Sequence, residues 1–525
     1  MSGPPFAGRP PHILDLAEAH LGAPSPAVAD HDGTFTYAEL EAASRAVAHL
    51  LLTQGADADE PVVVHGTASR WTVAALLGVV RAGCRYVPVD AGFPPERQRR
   101  MREGSGARFV LATGGVEAAD GVEGIRAARG GPRGQEEGQG QRQGVNGARE
   151  AASSRRVRVL RVPTDLGSPP PPRFTGRRGT LAYTIFTSGS TGLPAPVTVP
   201  ATALGWSTAA RLRHYREPVG AFLLCSSISF DSSMAGVWWT LATGGLLVVP
   251  GGRPGDLLSL ARAAEQHAAT HLLMVPSLYG AALRGGLGAR LGGLTTVIVA
   301  GESCPPALVA RHLTHLPGVR LHNEYGPTEC TVWATVHACT SADASARTVP
   351  IGRPVTGVTA YLGPGSDGGP GELYLSGPGL AVAEPGGGGG ERFVTVDGTR
   401  CFRTGDLVSV RDDGALLFHG RADHQLKLGG MRVERAEIEQ ALTDCAGVAE
   451  AGVGVTATDR PRPVAFVVMA GTGGDLDELG LRTRLLHSLP TTALPARVIP
   501  VPALPRLPNG KVDHGELDRR AAGGG

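Results

Sequence analysis

Short apolar runs rich in β-branched residues recur along the chain and constrain its fold more than any other feature. Examples are Pro61–Val64, Gly245–Val249 and Thr296–Val299. Segments with helical periodicity separate these runs, a pattern typical of buried parallel strands in an α/β domain. A chain of 525 residues is too long for one core of ordinary size, so we expect at least two domains.

The composition argues against several classes of function. A formal charge of +2 gives no global attraction to nucleic acid, and apolar runs such as Val73–Val80 are too short to span a membrane. Seven scattered cysteines without a CxxC pair are typical of free thiols in a reducing compartment. The Pro- and Gly-rich N-terminus lacks the apolar core of a secretory signal. We therefore expect a soluble cytoplasmic protein without nucleic-acid or membrane partners.

A change of composition marks an insertion between about residues 114 and 178. Gly, Arg, Gln and Glu dominate this stretch, which includes a proline run at residues 169–172. It interrupts an otherwise regular pattern, so we interpret it as largely a flexible surface insertion. An RNA-contacting RGG-like segment is the less favoured alternative.

The pattern changes again after Gly420. A strand-like run at Gln425–Leu428 precedes an acidic helix at Glu434–Leu442 and a strand at Val464–Met469. We therefore expect a large N-terminal domain over residues 1–422. A small α+β domain over residues 423–525 would follow it.

Only two of the fifty basic residues are lysines, Lys427 and Lys511. An ammonium group differs from a guanidinium in shape, hydration and reach, so these two positions are candidates for chemistry that arginine cannot perform. Lys511 follows Asn509-Gly510, a typical turn sequence. Ordinary surface lysines are the alternative, which the surrounding motifs disfavour.

A strand leads into a Ser/Thr/Gly loop at Leu181–Gly192. Small residues and hydroxyls in such a loop let backbone amides approach phosphate oxygens. Alone the loop is weak evidence, because linkers look similar. Four further motifs follow it in order along the chain: Asn323–Glu329, Phe402–Leu407, Gly420–Asp423 and Asn509–Lys511.

In this order the motifs resemble those of the adenylate-forming superfamily, which includes acyl-CoA synthetases, beetle luciferases and adenylation domains of nonribosomal peptide synthetases. The last subgroup is the most similar, from about Phe35 to Leu517. Its further motifs are matched by Phe35–Leu40, Arg81–Asp90, Phe230–Ser233 and Gly371–Gly377. The resemblance implies an α/β fold. Its large N-terminal domain would contain packed α/β sheets and a distorted β-barrel, and its small α+β C-terminal domain would be mobile.

The resemblance also implies a reaction in two steps. A carboxylate attacks the α-phosphate of ATP, and the acyl group of the resulting adenylate then passes to the phosphopantetheine thiol of a peptidyl carrier protein. Lys511 matches the lysine that bridges the carboxylate and the α-phosphate. Lys427 matches the lysine that faces the site after the small domain rotates about Asp423. The need for an MbtH-like partner stays open.

The nucleotide contacts follow from the same resemblance. Asp406 matches the acid that binds the ribose hydroxyls, and Arg421 is its neighbour on the nucleotide. Tyr325 and Phe418 would enclose the adenine, while Asn323 would bind its exocyclic amine. The other expected nucleotide contacts are Thr187, Ser188, Gly189, Ser190, Thr191, Gly301 and Thr328.

The resemblance also implies a Mg²⁺ site at Glu329 and Thr328, which offer the oxygen ligands that Mg²⁺ prefers. The chain departs from the family pattern at two motifs, the phosphate-binding loop and a later segment. Where relatives read Gly-x-Pro-Lys-Gly, this chain continues with Pro194-Ala195-Pro196 and lacks the loop lysine. Where relatives usually read Ala-Arg-Gly-Tyr, it has Ala381–Glu384.

Asp231 matches the acid that pairs with the α-amino group of an amino-acid substrate, a contact that plain carboxylic acids do not need. The other matching pocket positions are Ser232, Ala235, Leu273, Ile298, Ala300, Glu324, Val332, Trp333 and Lys511. A second buried carboxylate at Glu324 is costly unless the ligand neutralises it. This favours a basic side chain such as arginine or capreomycidine, with Trp333 stacked on the guanidinium. A neutral substrate is the alternative, because similar domains that take tyrosine can also carry Glu there.

Two other functions remain as alternatives to amino-acid adenylation. A CoA ligase for an aryl or short carboxylic acid is disfavoured by Asp231. A catalytically silent adenylate-binding module would explain the lost loop lysine. The retained Lys511, Asp406 and Glu329 disfavour that second alternative.

Overall fold

The computed structural model describes residues 1–523 except for several internal stretches. These are residues 114–156, 165–177, 189–193, 252–254, 366–368, 384–389, 423–424, 429–430, 457–460, 470–476 and 507–511. The described α-helices are Ile13–Ala17 (α1), Tyr37–Thr53 (α2), Arg70–Arg81 (α3), Pro95–Ser105 (α4), Ala201–His214 (α5), Asp231–Thr243 (α6), Leu257–Gln266 (α7), Pro276–Arg284 (α8), Pro306–His315 (α9), Arg435–Thr443 (α10), Glu478–Ser488 (α11) and His514–Gly523 (α12).

The largest sheet carries most of the candidate site. Its strands are Pro26–Asp30 (β1), Gly33–Thr36 (β2), Ala221–Leu224 (β9), Leu246–Val248 (β10), His271–Met274 (β11), Thr296–Ala300 (β12), Arg320–Tyr325 (β13), Thr335–Ala338 (β14) and Arg353–Pro354 (β15). They lie in the order β15-β14-β13-β12-β11-β9-β10-β1-β2. From β13 to β1 the neighbours are parallel. Helices α6 to α9 connect these strands, as parallel crossovers require.

A second sheet has the same parallel character. Its strands are Pro61–Gly66 (β3), Arg85–Asp90 (β4), Phe109–Ala112 (β5), Arg158–Arg161 (β6), Leu181–Ser188 (β7) and Pro194–Pro200 (β8), ordered β6-β5-β3-β4-β7-β8. Tyr86 of β4 stacks on Tyr183 of β7 with ring centroids 5.6 Å apart. The apolar runs that the sequence marks as buried strands are β3, β10 and β12, and that prediction is confirmed.

The expected barrel-like layer is an antiparallel sheet after the two α/β layers. It consists of Thr359–Leu362 (β16), Gly371–Ser376 (β17), Phe393–Val396 (β18), Thr399–Val410 (β19) and Leu416–Arg421 (β20). β19 pairs with β17, β18 and β20. This long central strand places Asp406 opposite Arg421 in register.

The C-terminal region has its own α+β elements and its own core. They comprise a hairpin of Gln425–Leu428 (β21) and Met431–Glu434 (β22), and a sheet of Val448–Val455 (β23), Pro463–Met469 (β24) and Arg497–Pro500 (β25). Ile438, Leu485 and Val467 lie in one buried apolar cluster. The predicted fold class is confirmed, whereas the domain boundary at residues 422/423 stays a prediction because residues 423–424 are not described.

The predicted insertion is interrupted by regular structure. Strand β6 lies within it and pairs in parallel with β5, placing Val159 beside Val110 and Leu160 beside Leu111. Apolar residues between Arg158 and Arg161 explain this edge strand, since charged ends are typical of sheet edges. Residues 114–156 and 165–177 lie outside the described ranges, so the flexibility predicted for them stays a prediction.

The C-terminal core contacts the large domain through a buried ion pair. Arg97 of α4 donates from Nη1 to Oε1 of Glu437 on α10 at 2.6 Å, and the two side chains are 4% and 7% exposed. Among the residues that the structure describes, the Nε of Arg97 and the Oε2 of Glu437 have no hydrogen-bond partner. Phe230, immediately before α6, packs against the C-terminal core. The docked arrangement therefore includes a desolvated charge pair.

We expect Arg97→Met to weaken this docking. Removing one partner of a buried pair costs about 3–5 kcal/mol, and undocking relieves the cost by hydrating Glu437. Limited proteolysis of the region between β20 and β21, or small-angle scattering, should report a more open protein. The control is Arg99→Met on the same helix, where Arg99 is 47% exposed and pairs with Glu96 and Glu103. Equal cleavage rates in the two variants would contradict the prediction.

Candidate functional site

The candidate site lies where strands of the nine-stranded sheet end, the usual ligand position in open α/β sheets. Glu324 and Tyr325 close β13, and Ala300 closes β12 directly before Gly301. Gly301 has a φ of +86°, a left-handed conformation that favours glycine. The chain can therefore turn sharply away from β12 at this edge.

Asp406 is the centre of the predicted nucleotide site. It is 2% exposed, and Tyr325 donates its hydroxyl hydrogen to Oδ2. Arg421 donates from Nη1 to Oδ1 at 2.6 Å and from Nη2 to the Thr404 carbonyl at 3.1 Å. Burial and the charge of Asp406 raise the pKa of Tyr325. The structure thus brings three of the predicted nucleotide residues into one hydrogen-bonded group.

Asn323 has a fixed amide orientation. Its Nδ2 donates to the carbonyl oxygen of Pro350 at 2.8 Å, and the side chain is buried. The opposite orientation would place two oxygens together, so Oδ1 is the remaining acceptor. An acceptor is the group that an exocyclic amine requires. Phe418 lies on β20 and packs partly buried against the main core.

The phosphate and lysine segments are described only in part. Thr187 lies near the end of β7, and its hydroxyl is 3.5 Å from the carbonyl oxygen of Ala195. Lys427 is opposite Arg432 in the β21–β22 hairpin. Outside the described residues lie Gly189, Ser190, Thr191, Asp423 and Lys511, together with the side chains of Ser188 and Lys427.

Asp231 is the first residue of α6, where the helix N-terminus favours a negative charge. Burial nevertheless raises its pKa to about 6; nearby Glu329 adds to the shift, while a hydrogen bond with the Thr328 side chain opposes it. Thr328 and Glu329 form the short 3₁₀ turn after β13, and Glu329 is buried. The predicted amine ligand and the predicted metal ligands are therefore neighbours.

The backbone between this turn and β14 is strained. Thr331 and Val332 have φ values of +57° and +77°, which are unusual for β-branched residues. The hydroxyl of Thr331 donates to the Gly379 carbonyl at 2.6 Å, and Ser207 donates to the Thr331 carbonyl at 3.1 Å. Strain held by such contacts is common at functional sites.

The predicted pocket residues come from four adjacent elements. Ser232 and Ala235 are on α6, Leu273 is on β11, Ile298 and Ala300 are on β12, and Val332 and Trp333 follow the 3₁₀ turn. Leu273 and Ala235 are each 5% exposed, and Ile298 is fully buried. Close approach of the chain at Gly326, where an added Cβ would lie 2.5 Å from the Trp333 Cα, fixes the Trp333 segment against β13.

Glu324 already has a cationic partner within the protein, so the premise that it needs a cation from the ligand is wrong. Arg211 of α5 donates from Nη1 and Nη2 to the two carboxylate oxygens at 2.6 and 2.8 Å. Tyr215 donates its hydroxyl hydrogen to Oε1 at 2.6 Å. Both charged side chains are 1% exposed. Trp333 does stack on a guanidinium, but on that of Arg211, whose Cζ is 4.4 Å from the ring centroid.

Sequence reasoning missed Arg211, Tyr215 and Thr404. Arg211 lies in Ala210-Arg211-Leu212-Arg213 near a helix end, where arginines usually face solvent. Its spacing of four residues from Ser207 and from Tyr215, which are both buried, was the available signal. The spacing to Ser207 places both side chains on one face of α5, and Tyr215 is the first residue after the helix.

The chain matches the AMP-binding enzyme family over residues 18–383 and the AMP-binding enzyme C-terminal domain over residues 437–511. It is 34% identical over 551 residues to phosphinothricin tripeptide synthetase PhsB of Streptomyces viridochromogenes, covering 100% of this chain and 43% of PhsB. It is also 34% identical over 516 residues to novobiocin biosynthesis protein H of Streptomyces niveus, covering 94% of this chain and 80% of that protein. The chain thus spans less than half the length of PhsB.

Solved structures show the same fold. Amide bond synthetase McbA from Marinactinospora thermotolerans has a TM-score of 0.82 at 23% identity, covering 98% of this chain and 100% of that one. Holo-PA1221, an NRPS protein containing adenylation and PCP domains, has a TM-score of 0.74 at 23% identity, covering 97% and 83%. Within the described ranges, every helix is too short or too polar to cross a membrane.

The match over residues 18–383 includes the amine-ligand candidate Asp231 and also Tyr325, whose hydroxyl group donates to Asp406. Together with relatives that share a third of its residues over nearly the whole chain, it establishes that this protein belongs to the AMP-binding enzyme family and is an adenylate-forming ligase.

Proposed function

We propose that the protein uses ATP to convert an amino acid to an aminoacyl-adenylate, with release of pyrophosphate. The aminoacyl group then passes to the thiol of a peptidyl carrier protein, with release of AMP. The observation that carries this proposal is the place of Asp231. Its desolvated carboxylate bonds to Thr328, three residues after the Tyr325 that holds Asp406. A site for an ammonium group therefore adjoins a site for the nucleotide.

Names of similar proteins support the proposal. PhsB is a tripeptide synthetase, and PA1221 contains adenylation and PCP domains. A further structural neighbour, AlmE of Vibrio cholerae, was solved with glycyl-adenosine-5'-phosphate and has a TM-score of 0.77 at 22% identity. Because the chain covers only part of PhsB, the carrier protein and the product are parts of the proposal.

The chemistry needs positioned charges, because the substrate carboxylate itself attacks the α-phosphate. Asp231 would bind the α-amine and orient the carboxylate. Asp406 would accept hydrogen bonds from the ribose, using lone pairs that Tyr325 and Arg421 leave available. Lys511 would stabilise the charge on the α-phosphate, and Lys427 would do so during thiol transfer.

The oxygen donors at the 3₁₀ turn fit Mg²⁺. Glu329 offers a carboxylate and Thr328 a hydroxyl, and a bound Mg²⁺ would neutralise charge on the phosphates. Among the described residues, a cluster of three potential ligands occurs at Asp30, His31 and Asp32. Glu329 is not part of that cluster. Few protein ligands are expected for a Mg²⁺ that substrate phosphates largely hold.

Two related reactions share the first step and differ in the acceptor. The CoA ligase alternative is disfavoured because a plain acid would leave the Asp231 carboxylate desolvated without a cation. A free amine is the other acceptor to test, because the structural neighbour McbA is an amide bond synthetase. Amino-acid-dependent pyrophosphate exchange tests the first step. Offering holo-carrier protein, CoA and free amines to the preformed adenylate tests the second, and we expect transfer to the carrier alone.

The two lysines should separate the half-reactions. Lys511→Ala should slow pyrophosphate exchange by at least two orders of magnitude, because a preorganised transition-state charge contributes about 3–4 kcal/mol. Lys427→Ala should leave exchange within about threefold of wild type and slow carrier loading. Each variant serves as the control for the other. Wild-type exchange in Lys511→Ala would contradict the mechanism.

Amino-acid activation should lose activity in acid because of Asp231. Its pKa in the unliganded protein is about 6, and only the carboxylate can pair with the substrate ammonium. The kcat/KM for the amino acid should therefore rise as the pH increases through 6 and level off above 7, falling about tenfold per pH unit below the pKa. Pyrophosphate exchange from pH 5 to 8 measures this profile.

The matched control is Asp231→Asn, which keeps the shape of the side chain. This variant should have a kcat/KM at least tenfold lower at pH 8, since a charge-assisted hydrogen bond is lost. Its acid limb near pH 6 should be absent. An unchanged acid limb in Asp231→Asn would assign the titration to another group.

A further inference from the structure

We propose that Arg211 is a specificity-determining residue that places a built-in guanidinium at the far end of the amino-acid pocket and restricts the enzyme to substrates with uncharged side chains. The inference rests on the proposed amino-acid adenylation. It replaces the basic substrate expected from the sequence. Arg211 itself belongs to α5 and not to the segments that supply the predicted pocket residues.

One face of α6 connects the amine ligand to Arg211. Asp231, Ala235 and Trp239 are four residues apart and so lie along the same helix face. Eight residues of α-helix rise about 12 Å, which is the length of this strip. At its far end, the Cζ of Arg211 lies 5.7 Å from the centroid of Trp239.

Strands β12 and β13, across the predicted pocket from α6, lead to the same guanidinium. Ala300 of β12 is in register with Glu324 of β13, whose carboxylate binds Arg211. The Cζ of Arg211 also lies over the ring of Trp333, 4.4 Å from its centroid. Two indoles and one carboxylate thus hold Arg211 where the two walls meet.

The charge at this end of the pocket is already balanced. Glu324 accepts two hydrogen bonds from Arg211 and one from Tyr215, all between 2.6 and 2.8 Å. Charge-assisted bidentate bonds of this kind are among the strongest in proteins. A substrate cation would have to displace Arg211 or lie beside it without an anion of its own.

The buried histidine beside this ion pair, His322, adds no charge to it. Burial lowers the pKa of His322 to about 4, so its ring is neutral at pH 7. The predicted lining between Asp231 and Arg211 is apolar or small: Ala235, Leu273, Ile298, Ala300 and Val332. The described surroundings therefore match an uncharged side chain.

The test compares substrates that differ in charge but little in shape. We would measure pyrophosphate exchange with the proteinogenic amino acids and with two matched pairs, arginine against citrulline and lysine against norleucine. The wild-type enzyme should favour an uncharged amino acid overall and the neutral member of each pair by at least tenfold in kcat/KM. A preference for arginine or lysine overturns the inference and leaves the proposed function intact.

Variants show whether Arg211 sets this preference. Arg211→Ala leaves Glu324 without its cation and opens space, so the arginine-to-citrulline ratio should rise at least tenfold. Arg211→Ala/Glu324→Ala removes both charges, and the ratio should return to near the wild-type value. Arg213→Ala on the same helix is the control, because Arg213 is exposed and covers Phe6 at 4.3 Å. A ratio that stays at the wild-type value in Arg211→Ala overturns the inference.

The double variant keeps the test decisive if Arg211→Ala fails to fold around an unpaired carboxylate. With both charged groups removed, the enlarged pocket should accept longer neutral side chains, such as that of 2-aminooctanoate, at least tenfold better than wild type. No gain would show that Arg211 does not line the end of the pocket. If none of the amino acids supports pyrophosphate exchange, the proposed function is overturned, and the inference with it.

Discussion

The alternation of side chains along β13 is the constraint on which both halves of the site depend. Consecutive residues of a strand face opposite sides of the sheet, so Asn323 and Tyr325 share one face while Glu324 takes the other. The first face reaches Pro350 and Asp406, and the second reaches Arg211. One strand thereby separates the predicted nucleotide side from the predicted substrate side, and a shift of register by one residue would exchange them.

Ordered motifs and strand patterns made the fold predictable from the sequence. The β-branched runs became β3, β10 and β12, because buried parallel strands need continuous apolar sequence. The motif from Asn323 to Glu329 likewise predicted a site at the C-terminal end of β13. Strand β6 was missed because an Arg-Val-Leu-Arg edge strand has too few apolar residues to stand out from its surroundings.

The side-chain partners were not predictable, because arginine dominates the basic residues of this chain. The local sequence does not distinguish exposed arginines such as Arg99 from buried ones such as Arg97 and Arg211. Only the fold shows that Arg211 contacts Trp239, Trp333 and Glu324. The misreading of Glu324 follows from this limit: its burial was foreseen correctly, but its partner lay 113 residues away in the chain.

The contact between the C-terminal core and the large domain is physically connected to the predicted amino-acid pocket. Arg97 lies 5.3 Å from the ring of Phe93, and Phe93 meets Phe230 edge-on at 6.2 Å. Phe230 packs on the C-terminal core and directly precedes Asp231. A movement of the C-terminal domain would therefore change the packing of the residue next to the amine ligand. The same contacts that hold the small domain in place thus support the N-terminus of α6, where the substrate would be oriented.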